Sequence, residues 1–223
     1  MTQEAKILIG IGIATLVIVV GAAFMFGGST SSTKDATNPK ITKDQEKLLI
    51  RGDSYQKKVD GAKITLVEFG DFECPACGAA YPVVTQLLND YKGKINFVFR
   101  EFPLPSHPNG PIGAEAAEAA GANGKFFEMY DALYQNQKEW GEDKNPMQFF
   151  EKYAKLIGLD VEKFKADVNS KKFDARIQKD IADGNSLGVN ATPTFFLNGE
   201  KITGGLPYND FKAKFDAILN ASK

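Results

Sequence analysis

The chain has 223 residues, 27 lysines and arginines against 28 aspartates and glutamates, and a net charge of −1 at pH 7. Acids and bases are interspersed, so no clustered basic stripe marks a nucleic-acid footprint. Two cysteines and one histidine fall short of the four ligands that a structural zinc site needs.

Ile7 to Phe26 is a run of twenty apolar residues without charge, long enough at about 1.5 Å per residue to cross a ~30 Å hydrocarbon core. It is longer than the apolar core of a cleaved secretion signal, although Ala22 and Ala23 leave cleavage open. The expectation is a signal anchor or transmembrane helix over 1–26, with Lys6 holding the N-terminus inside and the remainder outside. Residues 27–40, "GGSTSSTKDATNPK", read as a flexible linker. Residues 41–223 then form one domain on the outer side of the cell membrane.

Ile41 to Arg51 predicts a short helix, with Thr42 and Gln45 at capping-box spacing. Lys63 to Gly70, "KITLVEFG", is β-branched and nearly continuously apolar, the pattern of a strand covered on both faces. Cys74 follows at once. Ala79 to Tyr91 places Tyr81, Val84, Leu87, Leu88 and Tyr91 at helical intervals, and Lys94 to Glu101 is a second strand. Strand, turn, helix and parallel strand make a βαβ unit. A helical block comes next: Ile112 to Ala122, Lys125 to Gln137, Met147 to Ile157, Val161 to Val168 and Phe173 to Leu187. Asn145 is expected as an N-cap with Pro146 first in its helix, and Asp160 as the cap of Val161. Thr194 to Leu197 returns to strand character, Asn198-Gly199 signals a hairpin, Lys201 to Thr203 pairs back, and Pro207 to Leu219 closes with a helix. The outline is βαβ, a helical insertion at about 108–187, then ββα.

The two cysteines stand three apart in "FGDFECPACG", at the start of a helix. Such a pair can close a small disulfide. Its first sulfur meets unsatisfied amides and the positive end of the helix dipole, which stabilise a thiolate. Pro75 suits the first turn because it has no amide hydrogen to lose. Cys74, at the helix tip, is then the attacking or attacked sulfur, and Cys77, one turn in, resolves the mixed disulfide. The alternatives are a metal site, for which ligands are lacking, and a purely structural disulfide, which across two intervening residues restrains the unfolded chain little.

Glu68 lies between Val67 and Phe69 in the strand read as buried, where a lone carboxylate is costly. It is a candidate to move the proton of Cys77. The alternative is a carboxylate facing solvent at a strand end. Asp71 and Glu73 flank the pair, and negative charge there raises a thiol's pKa. His107, the one histidine, lies in a loop far from Cys74 in sequence and is not assigned to the site.

"VEFGDFECPACG" resembles the active-site stretch of DsbA-like thioredoxin-fold proteins, and "NATPTFFLNGEKITGG" resembles their second signature, a Thr-Pro that opens a strand opposite the cysteines. The block between, beginning "FREFPLPSHPNG", is similar to the helical insertion of the membrane-attached and Gram-positive members. The resemblance spans about 60–221. It implies an α/β thioredoxin fold with a helical insertion between its βαβ and ββα halves, here preceded by the transmembrane helix. It implies Cys74 and Cys77 as the redox pair, with Pro75 and Ala76 as the dipeptide that tunes it. Thr192 and Pro193 match the threonine and cis-proline that line the cleft, placed at the sheet edge, and Glu68 matches the buried acid. Ala76 stands where the best-known strong oxidant of the family has histidine, and Ala191 where glycine usually precedes Thr-Pro.

The implied function is an extracytoplasmic protein disulfide oxidoreductase of the dithiol oxidase type that introduces disulfides into exported proteins. It needs no cofactor or metal, binds no nucleic acid, acts as a monomer, and is re-oxidised by a membrane quinone-linked thiol oxidase. The rival readings are a reductase or isomerase of opposite electron flow, and a non-catalytic peptide-binding module with a vestigial disulfide.

Overall fold

The computed structural model describes residues 41–221. The expected anchor over 1–26 and linker over 27–40 lie outside the described residues. Among the described residues no helix is long and apolar enough to cross a membrane.

Helix α1, Lys43–Leu49, carries the expected capping box: the Gln45 amide donates to the Thr42 hydroxyl, and the Thr42 amide to the Gln45 side chain. A three-residue strand that hydrophobic periodicity did not reveal, β1 (Tyr55–Lys57), follows. Strand β2 (Ile64–Gly70), helix α2 (Pro75–Asp90) and strand β3 (Ile95–Glu101) form the expected βαβ unit, with β2 and β3 parallel. The inserted block contains α3 (Gly110–Gly121), α4 (Phe126–Gln135), α5 (Gln137–Trp140), α6 (Met147–Leu156), α7 (Val161–Asn169) and α8 (Asp174–Ser186). Strands β4 (Thr194–Leu197) and β5 (Glu200–Thr203) form a hairpin, and α9 (Tyr208–Ala221) follows it. At the hairpin tip Asn198 and Gly199 both take positive φ, 47° and 84°, as a two-residue turn of this kind requires.

Two expectations need correction. Pro146 is itself the N-cap of α6, and Asn145 sits one residue earlier because its amide is taken by the Asp143 carboxylate at 2.7 Å. The strand after Thr192-Pro193 is not a sheet edge. The sheet order is β1-β3-β2-β4-β5, so β4 is interior, hydrogen-bonded on both sides. Pro193 is tolerated because it stands just before the first paired residue, Thr194. Its carbonyl accepts from the Gly204 amide at 2.8 Å.

The sheet divides two cores by strand parity. Ile64, Leu66, Phe97, Phe99, Phe195 and Leu197 point to one face, beneath α2, the inserted helices other than α8, and α9. Val67, Phe69, Val98 and Phe196 point to the other, where Leu49 of α1 and Leu187 at the end of α8 cover them. This explains the unbroken apolar run of β2, since both of its faces are buried. It also places Glu68, which shares parity with Leu66, on the face that carries α2 and the cysteines.

Candidate active site

Cys74 is the N-cap of α2 and Pro75 its first residue. Pro75 and Ala76 are exposed, Cys74 is 5% exposed, and Cys77 is fully buried. Both cysteines are free thiols. The Cys74 Sγ lies 3.4 Å from the carbonyl oxygen of Thr192. The chain thus brings Cys74, Cys77, Thr192 and Pro193 together from motifs more than a hundred residues apart, and the Thr192-Pro193 peptide bond is cis.

The electrostatics separate the two sulfurs. Cys74 is held down to about 5, first by a hydrogen bond from the Cys77 thiol and then, against the opposing effect of burial, by Thr192 and the amides of Cys77 and Ala76. Cys77 is pushed well above the ordinary thiol value by burial, with its bond to Cys74 and the charges of Glu68 and Cys74 adding to it. A single turn of helix therefore yields one thiolate at neutral pH and one protonated thiol. Alkylation of Cys74 by iodoacetamide in the reduced protein should show a midpoint near pH 5, with Cys77 inert across the same range. A Cys74 midpoint above pH 7.5, read by mass spectrometry, would contradict this assignment.

Glu68 is 1% exposed, which excludes a solvated strand end. Burial pushes its carboxyl up to about 8, and a hydrogen bond from the Tyr130 hydroxyl, 3.4 Å from Oε2, works in the opposite direction. Its Oε1 has no hydrogen-bond partner among the described residues.

The flanking acids are engaged by the loop after β3. Asp71 Oδ1 accepts from the Glu73 amide at 2.9 Å, and its Oδ2 accepts from the Leu104 amide at 2.8 Å and meets His107 Nδ1 at 2.6 Å. Glu73 accepts from the Asn109 amide at 2.5 Å. Both carboxylates fasten the loop after β3 to the redox turn. His107, distant in sequence, is brought alongside by this fastening. Burial works against its charge, but its hydrogen bond and pairing with Asp71, then the charges of Cys74 and Glu73, raise its pKa.

Two further residues escaped the sequence reading. Gln137 of α5 donates from Nε2 to the carbonyls of Phe72 (2.7 Å) and Cys74 (2.8 Å), clamping the redox turn to the inserted block. Its amide packs so closely over α2 that a Cβ on Gly78 would overlap it, which accounts for glycine directly after Cys77. Tyr130 is the other. Its spacing with Phe126, Met129, Leu133 and Tyr134 is that of an ordinary core residue, and only its distance to Glu68 shows otherwise. Beside the redox turn lies a groove of about 1030 Å³ lined by Pro75, Gly78, His107 and Gln137, with Glu73, Glu139 and Glu142 on its polar margin. The described residues include no cluster of histidine, cysteine and carboxylates able to hold a metal.

A family model described as Thioredoxin matches residues 60–217. The chain belongs to the thioredoxin family. Its paired cysteines at a helix tip, beside a cis-proline, are the groups that thiol–disulfide exchange needs. A thioredoxin-like oxidoreductase from Silicibacter pomeroyi superposes with a TM-score of 0.66 at 25% identity, covering 81% of this chain and 99% of that one. BdbD from Bacillus subtilis superposes at 0.69 and 21% identity over 83% and 99%, and α-DsbA1 from Wolbachia pipientis at 0.71 and 23% identity over 79% and 96%. These last two likenesses establish the fold. Among curated proteins, the chain is 39% identical over 161 residues to a protein named Na(+)/H(+) antiporter NhaA 3 of Salinispora tropica, matching 72% of this chain and 23% of that protein. The chain thus spans about a quarter of the length of such relatives.

Proposed function

We propose that the chain oxidises cysteine pairs in exported proteins by accepting their electrons at the Cys74–Cys77 disulfide. The observation that carries this reading is the pairing of an acidified Cys74 at a helix tip with a buried, protonated Cys77. In the first step a client thiolate attacks the Cys74 Sγ. The Cys74–Cys77 bond breaks, a mixed disulfide forms, and Cys77 leaves as a thiolate. Glu68, largely protonated at neutral pH, donates its proton to that buried thiolate. In the second step the other client thiolate attacks the client sulfur of the mixed disulfide, and Cys74 leaves as a stable thiolate. Two electrons pass from the client pair to the protein pair.

The direction rests on linkage. Cys74 ionises near 5 in the folded reduced protein and near 8.5 in an unfolded chain. The lowered value stabilises the folded reduced form, fully above about pH 8.5 and progressively less as pH falls through 5. The disulfide form has no such thiolate, so the site favours reduction of itself and oxidation of its client.

Thr192 and Pro193 supply the surface opposite the cysteines where an extended client segment rests, and Pro75 and Ala76 present the redox turn to it. The apolar run Ile7 to Phe26 supports a single-pass location with the catalytic domain outside the cytoplasm, an oxidising compartment. There a membrane quinone-linked thiol oxidase completes the cycle and the protein acts as a monomer. A redox titration against glutathione tests the direction. A potential nearer about −120 mV supports the oxidase, whereas one near about −270 mV assigns the chain to reduction or isomerisation. Absence of any exchange would leave only a peptide-binding role.

A further inference from the structure

We infer that Tyr130, a positioning residue contributed by the inserted helix α4, holds Glu68 in its proton-exchanging role through its hydroxyl. This rests on the reading of Glu68 as the proton carrier of Cys77. A carboxyl buried to 1% exposure needs a partner for its ionised form, and the surroundings offer few. On the neighbouring strands Phe99 and Phe195 stand opposite it, and the buried residues of α9 are Phe211 and Phe215. From α2 the titratable group acting with it is Cys77. From α4, Tyr130 and Tyr134 act on it, and both are buried. No lysine or arginine contributes to its shift among the described residues.

The Tyr130 hydroxyl, 3.4 Å from Oε2, is therefore the donor that the anion has. Tyr134 aims its own hydroxyl elsewhere, at the carbonyl of Asp71. Packing alone does not need the Tyr130 hydroxyl, because the ring already stacks edge-on against Phe72 and Phe99. A phenylalanine would fill the same space.

The step that exposes this role is the closing of the pair. With glutathione in mixed disulfide on Cys74, the Cys77 thiol gives its proton to the Glu68 carboxylate. Its sulfur attacks Cys74 Sγ, and glutathione leaves as a thiolate. The step requires ionised Glu68, so its rate rises with pH through the titration of that group. Tyr130 donates to the anion and eases its formation. Loss of the hydroxyl must move the midpoint upward.

The test is stopped-flow oxidation of the full reduced chain by saturating oxidised glutathione, from pH 6 to 10, in wild type, Tyr130→Phe, Tyr134→Phe and Glu68→Gln. Tyr130→Phe should raise the midpoint by about 0.5–1 pH unit and slow closure about 3- to 10-fold at pH 7. The Cys74 alkylation midpoint should stay in place, and Tyr134→Phe should leave the closure profile at its wild-type position. The titration of Glu68 followed by carbon-13 NMR should move with the rate. An unmoved midpoint in Tyr130→Phe, with the limb abolished in Glu68→Gln, overturns the role of Tyr130 alone. A wild-type limb in Glu68→Gln overturns the proton carrier and this inference with it. Should Tyr130→Phe fail to fold, the wild-type hydroxyl proton decides. Its NMR shift must follow the titration of Glu68, and a hydroxyl blind to that titration overturns the proposal.

Discussion

Replacing Cys74 with serine is expected to lower turnover of a model dithiol by more than about 10³-fold, because a hydroxyl of ordinary acidity takes the place of the attacked sulfur. Cys77→Ser should behave differently. Cys74 keeps its place at the helix tip and can still form a mixed disulfide, but nothing resolves it, so client adducts accumulate on non-reducing gels. Serine also keeps a donor where the Cys77 thiol stood, the strongest influence holding Cys74 down. Alanine at 77 removes that donor and should move Cys74 alkylation to distinctly higher pH, while serine moves it little. Equal trapping by Cys74→Ser and Cys77→Ser would reverse the assignment of attacking and resolving sulfurs.

The largest expected loss of stability lies on the opposite face of the sheet. Arg100, on β3, has a fully buried side chain and binds Asp180 at 3.0 Å and Asp183 at 2.6 Å on α8. It also donates to the carbonyls of Leu48 (2.6 Å) and Leu49 (2.8 Å), closing the C-terminal end of α1. Arg51 reaches the same two aspartates from the loop after α1. Arg100→Met would leave one buried and one partly buried carboxylate sharing one cation, and two helix-end carbonyls without a donor. Breaking a buried pair in this way costs about 3–5 kcal/mol, or on the order of 10 °C in melting temperature for a domain this size. Arg100→Lys should recover little, since one ammonium cannot serve four acceptors in a planar fork. A melting temperature within 2 °C of wild type for Arg100→Met would show that the network is not structural.

The βαβ unit, the hairpin and the cysteine turn were legible because each depends on local chemistry: an apolar strand, a proline in a first turn, an Asn-Gly pair with positive φ. Glu68 was legible only in part: Val67 and Phe69 marked its strand as buried, but a carboxylate facing solvent at the strand end stayed open until its 1% exposure decided it. Strand β1 was not, as three residues with a polar exposed pattern give no period. The roles of Gln137 and Tyr130 were hidden for another reason. Each acts through a contact more than sixty residues away in sequence, and an aromatic at helical spacing carries no mark of which hydroxyl finds an acid. The interior placement of β4 likewise follows from a pairing with β2 that spans more than 120 residues.

The parity of the sheet has a consequence for how such a chain can vary. Glu68 and Phe69 are adjacent, yet one belongs to the thiol chemistry and the other packs beneath the Arg100 guanidinium, 5.3 Å from its ring. The sheet acts as a partition between two charge systems: an acid left almost without partners on one side, and a web of paired arginines and aspartates on the other. Substitutions that adjust the reactivity of the sulfurs and substitutions that adjust resistance to heat therefore fall on separate sides of one layer of backbone. A lineage carrying this domain could retune its redox behaviour for new clients without trading away its stability, and could harden against temperature without disturbing its chemistry.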